Sequence, residues 1–318
     1  MLNVRVSRRT AQALDICSFE LVPTDETSLP PFSAGSHIDV VMAGGLTRQY
    51  SLCNDERDSS RYVIGVLRDP SSRGGSIALH DQVEEGSILQ ISAPRNHFAL
   101  ARSARHSVLL AGGIGVTPLL SMASSLSHDG ASFGMHYCAR SRERAAFVDA
   151  IRDARYASQV HFHFDDGPDE QRLDLPTCLA TPTADTHLYV CGPKAFMDVV
   201  LETARKQGWV EDQLHYEFFS GVDAFPLDSD ESFDVQIAST GQIVRVARDD
   251  SVAQALIDVG VEIETSCAQG VCGTCLTRVL SGVPDHRDMF LSPSEQAAGD
   301  QFLPCCSRSK SSLLVLDL

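Results

Sequence analysis

Long apolar runs are missing from this 318-residue sequence. None approaches the roughly 18 to 20 residues that a bilayer crossing needs, so no membrane association is expected. The opening stretch, Met1 to Thr10, carries Arg5, Arg8 and Arg9 and lacks the apolar core of a secretory signal, which makes the cytoplasm the expected location. Basic charge is also short. Lys and Arg number 26 against 42 Asp and Glu, for a formal net charge of -16, and no basic stripe interrupts that balance. Phosphate-backbone binding needs clustered cations, so no nucleic acid partner is expected. Internal repeats and low-complexity tracts are lacking too. With 43% hydrophobic and 21% charged residues the chain has the composition of ordinary globular proteins, and its length suits two or three domains.

Local pattern divides the chain into four stretches. Residues 1–101 hold short β-branched or alternating runs, among them Ile38 to Met42, Arg61 to Leu67 and Ile88 to Ile91, broken by Gly, Pro and Ser. They predict an antiparallel β-barrel with one helix, Ser76 to Val83. Residues 102–222 alternate buried strands (Val108 to Ala111, Met135 to Cys138, Val160 to Phe164, Leu188 to Val190, His215 to Phe219) with helices (Leu119 to Leu126, Arg144 to Arg155, Ala195 to Lys206). That rhythm predicts a parallel α/β sheet. Residues 223–231 have linker composition. Residues 232–318 predict a small mixed domain, with strands at Phe233 to Ile237, Ile243 to Val246 and Leu313 to Leu318, and a helix at Val252 to Val259.

Ten cysteines without a secretory signal point to free thiols together with a metal or redox site. Cys267, Cys272, Cys275 and Cys305 follow C-x4-C-x2-C-x29-C, the spacing of a plant-type [2Fe-2S] site. Soft thiolates suit tetrahedral iron, and Gly270 and Gly273 allow a tight loop whose N-H groups face the sulfurs. A structural zinc site is the alternative, although it usually pairs two C-x2-C knuckles and one is present here. Cys306, next to Cys305, competes for the fourth position, and spacing favours Cys305.

Two further motifs concern nucleotides. Arg48-Gln49-Tyr50-Ser51 ends a barrel strand, and Arg73-Gly74-Gly75-Ser76 opens the following helix. An Arg fork, a glycine-rich helix start and an aromatic can together hold a phosphorylated flavin; separately they read as a strand edge and a helix cap. Gly112-Gly113-Ile114-Gly115-Val116-Thr117-Pro118 lies between strand and helix, where a pyrophosphate-binding turn belongs, with Pro118 in place of the third glycine. Cys191-Gly192-Pro193 ends a later strand on the same sheet edge.

The order of these motifs resembles the phthalate dioxygenase reductase family, which includes reductase subunits of vanillate demethylases. The likeness runs the full chain and takes in Pro284-Asp285-His286-Arg287-Asp288 and the terminal Val315-Leu316-Asp317-Leu318. The resemblance implies an FMN-binding barrel, an NAD-binding α/β domain and a C-terminal β-grasp plant-type ferredoxin domain, in that order. It assigns Arg48, Tyr50, Ser51, Gly75 and Ser76 to FMN, and Gly113, Gly115, Thr117, Cys191, Gly192 and Pro193 to the nicotinamide nucleotide. Thr117 and Cys191 are expected beside the nicotinamide, and Phe219 over the flavin ring. FAD stays open as the flavin. NADPH stays open as the cosubstrate beside NADH, because Arg140, Arg142 and Arg144 follow a strand where a 2'-phosphate could bind.

The implied activity is NADH-dependent electron transfer, through FMN and [2Fe-2S], to a Rieske-type terminal oxygenase. Residues 223–318 hold fifteen acidic and six basic residues, a formal charge of -9, which suits weak, salt-sensitive docking to a basic partner. A self-sufficient diaphorase or a redox sensor is the competing reading.

Overall fold

The computed structural model describes residues 1–25, 28–42, 46–70, 74–180, 182–219 and 230–318. It separates into two compact units, Met1–Glu217 and Phe218–Leu318. Among the described residues no helix is long and apolar enough to cross a membrane.

The first unit contains two sheets. Strands β1 (Leu2–Ala13), β2 (Ile16–Pro23), β3 (His37–Val41), β4 (Thr47–Ser51), β5 (Tyr62–Leu67) and β6 (Ile88–Ile91) form an antiparallel sheet in the order β4-β3-β6-β1-β2-β5. A bridge between Leu52 and Ile64 brings its two edges together, curling the sheet toward a barrel. Alternation along each strand fills the interior with Val4, Val6, Phe19, Leu21, Ile38, Val40, Ile64 and Ile91. Helix α1 (Gly75–Gln82) buries Leu79 and His80.

The second sheet is parallel, built from β7 (His106–Gly112), β8 (Ser132–Ala139), β9 (Val160–Phe164), β10 (Thr186–Cys191) and β11 (Leu214–Glu217) in the order β11-β10-β7-β8-β9. The chain moves outward from β7 through β8 to β9, then returns to place β10 on the other side of β7. The strand order therefore reverses between β7 and β10. Helices α2 (Val116–His128), α3 (Val148–Asp153), α4 (Leu175–Cys178) and α5 (Lys194–Lys206) connect the strands. One core joins both sheets, with Ile16, Ala34, Cys53 and Phe98 of the barrel packed among Leu109, Val116, Leu119 and Met122.

Two of the differences from the pattern-based expectation lie near the site of the first unit. A helix over Arg144 to Arg155 shortens to α3, because Ala145, Ala146 and Phe147 are buried and the Ala146 N-H donates to the Tyr137 hydroxyl at 2.9 Å rather than to a helical carbonyl. Phe147 takes a left-handed φ of 61° where the helix begins. The strand expected to reach Phe219 stops at Glu217, where its partner β10 ends with Cys191.

The second unit is a β-grasp. Strands β12 (Phe233–Ile237), β13 (Ile243–Val246), β14 (Thr277–Ser281), β16 (Gln301–Phe302) and β18 (Leu313–Leu316) run in the order β13-β12-β18-β14-β16, with α6 (Val252–Asp258) packed against them. A small second sheet pairs β15 (Pro284–Asp285) with β17 (Arg308–Ser309). Helix α7 (Pro293–Ala298) opens with a capping box between Ser292 and Glu295 and closes at Gly299 in the left-handed region.

Arg308 is the largest fully buried side chain of this unit, 2% exposed. It donates to the carbonyls of Asp250 (2.7 Å), Glu231 (3.0 Å) and Ala247 (3.0 Å) and lies over the Phe233 ring. Arg308→Met strands these acceptors and should destabilise the unit by about 3 kcal/mol. Urea unfolding followed by far-UV circular dichroism should then show an earlier loss of signal than in the wild type, and coincident curves would contradict this role.

Candidate functional site

The site in the first unit begins at the reversal point of the parallel sheet, where open α/β sheets bind ligands beyond the carboxyl ends of their strands. β7 ends at Gly112 and the turn after it carries Gly113 and Gly115, while β10 ends at Cys191 and the turn after it carries Gly192 and Pro193. A Cβ added to Gly115 would lie 2.3 Å from the Cys191 carbonyl oxygen and 2.6 Å from the Gly192 nitrogen. One added to Gly112 would strike Phe196 and Pro193. The two turns are thus in backbone contact because glycine stands at these positions. Gly113 has a φ of 54°, and a Cβ there would meet nothing within 4 Å. Bare backbone facing open space above a crevice fits the close approach of a pyrophosphate.

Thr117, in the first turn of α2, is buried and its hydroxyl donates to the Ile114 carbonyl at 3.0 Å. Its methyl group presses against Gly65 of β5, where a Cβ would lie 2.8 Å away. This contact sets the helix start against the barrel.

On the barrel side, strand alternation puts Arg48 and Tyr50 on one face of β4 and Gln49 and Ser51 on the other. Arg48 crosses the start of α1, where a Cβ on Gly75 would lie 2.5 Å from its Cγ. Gly74, the N-cap of that helix, has a φ of 92°. The two flavin motifs are therefore neighbours, placing a guanidinium beside a helix N-terminus, a donor set that fits a phosphate group. The Ser76 hydroxyl accepts the Asp69 N-H at 3.2 Å. Burial raises the Tyr50 hydroxyl above its ordinary range, so it stays protonated. Arg73 lies outside the described residues.

Glu217, absent from the motif reading, links the two halves. It is opposite Cys191 in the β10–β11 register, and its Oε2 accepts the Ser51 hydroxyl at 3.0 Å. Burial pushes its carboxyl up to about 7, with the Ser51 hydrogen bond opposing. Burial and the neighbouring Glu217 push the Cys191 thiol well up, so Cys191 is no thiolate nucleophile. No sequence motif marks Glu217; a lone acid at a strand end becomes informative once its strand is placed beside β10. Phe219 follows it by two residues, in the second unit, 39% exposed.

The second unit carries five of the cysteines, and among the described residues no three His, Cys, Asp or Glu side chains converge closely enough to hold a single metal ion. All ten in the chain are free thiols, and Cys267, Cys272, Cys275, Cys305 and Cys306 are buried. Between Cys267 and Cys275 the loop turns through three left-handed residues, Ala268, Gly270 and Gly273. The Gln269 N-H donates to Cys267 Sγ at 3.3 Å and the Thr274 N-H to Cys272 Sγ at 3.5 Å. Buried thiols, two of them with an N-H group directed at the sulfur, are a soft donor set that fits an iron–sulfur cluster. Asp288 ties this loop to the distant cysteines. Its carboxylate accepts the Leu291 N-H (2.8 Å) and the Ser307 hydroxyl (3.3 Å), and the Met289 N-H beside it donates to the Gly270 carbonyl (3.0 Å). Cys306 is packed in the same wall. A Cβ on Gly270 would lie 2.4 Å from its Sγ, and its thiol is directed at the Leu303 carbonyl at 3.7 Å.

Comparison with known proteins agrees with this geometry. Residues 235–310 match the family described as the 2Fe-2S iron-sulfur cluster binding domain. The chain is 56% identical, over the whole of both chains, to the vanillate O-demethylase oxidoreductase of Pseudomonas putida. The solved structure of phthalate dioxygenase reductase, described as modular for electron transfer from pyridine nucleotides to [2Fe-2S], is 38% identical, with a TM-score of 0.75, and the match covers 100% of this chain and 98% of that one. An intact type IV self-sufficient cytochrome P450 monooxygenase matches the full chain with a TM-score of 0.87 at 38% identity over 41% of its own length. These matches define an oxidoreductase of the modular electron-transfer class. Within it, the chain belongs to the phthalate dioxygenase reductase family, whose members serve oxygenases and demethylases as reductase components.

Gly115→Ala should force the two glycine turns apart. The expected result is a KM for NADH raised about tenfold to a hundredfold with flavin content unchanged, measured by steady-state dye reduction. An unaltered KM would show that the contact does not shape the nucleotide crevice.

Proposed function

We propose that the protein is the NADH-dependent reductase component of a two-component Rieske-type aromatic oxygenase or O-demethylase, with FMN as its flavin and the cytoplasm as its location. The observation that carries this reading is the continuous line of contacts from Ser51 through Glu217 and Cys191 to Gly115, which joins the flavin motif to the nucleotide turns within one unit. In this reading residues 1–101 hold FMN, 102–222 hold the nicotinamide nucleotide, 223–231 link, and 232–318 hold the cluster.

Each residue has a physical task. Arg48, with Arg73 and the N-H groups at Gly75 and Ser76, binds the FMN phosphate, and Tyr50 packs on the flavin. Gly113, Gly115, Gly192 and Pro193 let the nucleotide backbone approach, while Thr117 and Cys191 orient the nicotinamide. Phe219 covers the flavin ring. The chemistry supplied by a bound flavin is the conversion of one two-electron hydride into two single electrons, which a [2Fe-2S] cluster takes one at a time. A hydride is one proton and two electrons, so passing the electrons on would leave one proton to be taken up at the site. The Ser51 hydroxyl can pass its proton to Glu217 Oε2 while taking up the new one, because that carboxyl titrates near neutrality.

Cys267, Cys272, Cys275 and Cys305 are the cluster ligands. The thiol of Cys306, turned to a backbone carbonyl, supports that choice. Cys305→Ser should abolish the rhombic EPR signal of the reduced cluster, and Cys306→Ser should keep it. The reverse pattern would move the fourth ligand to Cys306.

The partner is tested by reconstitution. NADH oxidation should stay slow without an acceptor and become fast with a Rieske oxygenase, falling as salt rises. Fast turnover with dyes alone and none with any oxygenase would favour a diaphorase.

A further inference from the structure

His37 lies directly opposite Ser51 in the β3–β4 register, so both side chains leave the same face of the sheet. Both address Glu217. Ser51 takes Oε2, and His37 Nδ1 stands 3.8 Å from Oε1. His37 is 4% exposed, and its Nδ1 is a buried nitrogen without a hydrogen-bond partner among the described residues.

The protonation of this imidazole follows from its other side. His37 Nε2 is 3.4 Å from Gln49 Nε2, and the same Gln49 atom is 3.1 Å from Asp39 Oδ1. The Asp39 carboxylate, paired with Arg95 at 2.6 Å, accepts hydrogen bonds and donates none. The Gln49 atom facing it is therefore the NH2 group, which has a second hydrogen for His37 Nε2. An Nε2 that accepts leaves the ring proton on Nδ1, the nitrogen 3.8 Å from Glu217 Oε1.

We propose that His37, locked as the Nδ1-H tautomer by Gln49, Asp39 and Arg95, is a positioning residue for Glu217. At 3.8 Å it makes no hydrogen bond, but its N-H dipole lies beside the carboxylate oxygen that Ser51 does not use and favours the ionised form of the Ser51–Glu217 pair. The role deepens the proposed function, since it matters to turnover only if Ser51 faces the flavin.

The surroundings agree. Burial, Arg95 and His97 hold His37 down to about 4, with Asp39 opposing, so the ring stays neutral and its one proton is available as a donor. The groups facing Glu217 are Ser51 on β4, His37 on β3 and the protonated Cys191 thiol on β10. None of these three changes charge near neutral pH, whereas the Glu217 carboxyl does. A donor favours the ionised carboxylate, so removing it should raise the midpoint of Glu217.

The test is infrared titration of the holoprotein, following the carbonyl band of protonated Glu217, assigned by its loss in Glu217→Gln. The wild-type midpoint is expected near 7. His37→Leu should raise it by about one unit, a tenfold change in proton affinity. His37→Asn, whose amide places an NH2 where Nδ1-H was, should restore it. Gln49→Leu, which leaves His37 in place but unlocks its tautomer, should raise it less than His37→Leu.

An unchanged midpoint in His37→Leu overturns the proposal, as does His37→Asn behaving like His37→Leu. If His37→Leu does not fold, an unchanged midpoint in Gln49→Leu overturns it instead. The pH profile of anaerobic flavin reduction by NADH, measured on the same variants, separates the two readings. A shifted infrared midpoint with an unshifted profile upholds the His37 role and sinks the placement of Ser51 beside the flavin.

Discussion

The backbone contact between the turn after β7 and the turn after β10 is the constraint on which the first unit's chemistry rests. At Gly115 there is no room for even a methyl group against the Cys191 carbonyl. Because the turns touch, the crevice at the strand-order reversal has fixed walls, and Cys191 is held in register with Glu217 on the next strand. Glu217 then reaches the barrel through Ser51. A small displacement at the glycines would propagate along this line to the flavin motif, since the shared core leaves little free volume to absorb it.

The second unit solves a different problem, bringing Cys305 from thirty residues downstream to a loop that already carries three cysteines. Asp288 supplies the tie, binding the segments around Leu291 and Ser307 while the adjacent Met289 anchors Gly270. Arg287 braces the same stretch by pairing with Asp285 at 2.8 Å and with Asp230 at 2.9 Å. The Asp-His-Arg-Asp stretch is thus a structural clamp on the cluster loop. Within it the Arg287–Asp230 pair is largely buried, so losing either partner would leave an uncompensated charge.

Much of this was legible in the sequence for physical reasons. The parallel sheet declared itself because strands buried on both faces, such as Val108 to Ala111, read as continuous apolar runs. The cysteine spacing and the glycine turns were legible because metal ligation and close backbone approach each demand particular residues. The short strands β14 to β17 went unseen, being two to five residues long and defined by partners distant in sequence. Helix α7 had a signal in Ser292-Pro293-Ser294-Glu295, a capping box with proline in the first turn, that pattern reading passed over. His37 and Glu217 carry no local signal at all. Each acquires meaning from the sheet that places it opposite Ser51 or Cys191.

The central claim is a single electron path from hydride to cluster, and anaerobic titration of the purified protein with NADH tests it most directly, with visible absorption and EPR recorded together. Bleaching of a flavin that chromatography identifies as FMN, followed by the rhombic signal of a reduced [2Fe-2S] centre, is the predicted result. A flavin that bleaches while the cluster stays oxidised, or a chain that binds zinc in place of iron, would contradict it.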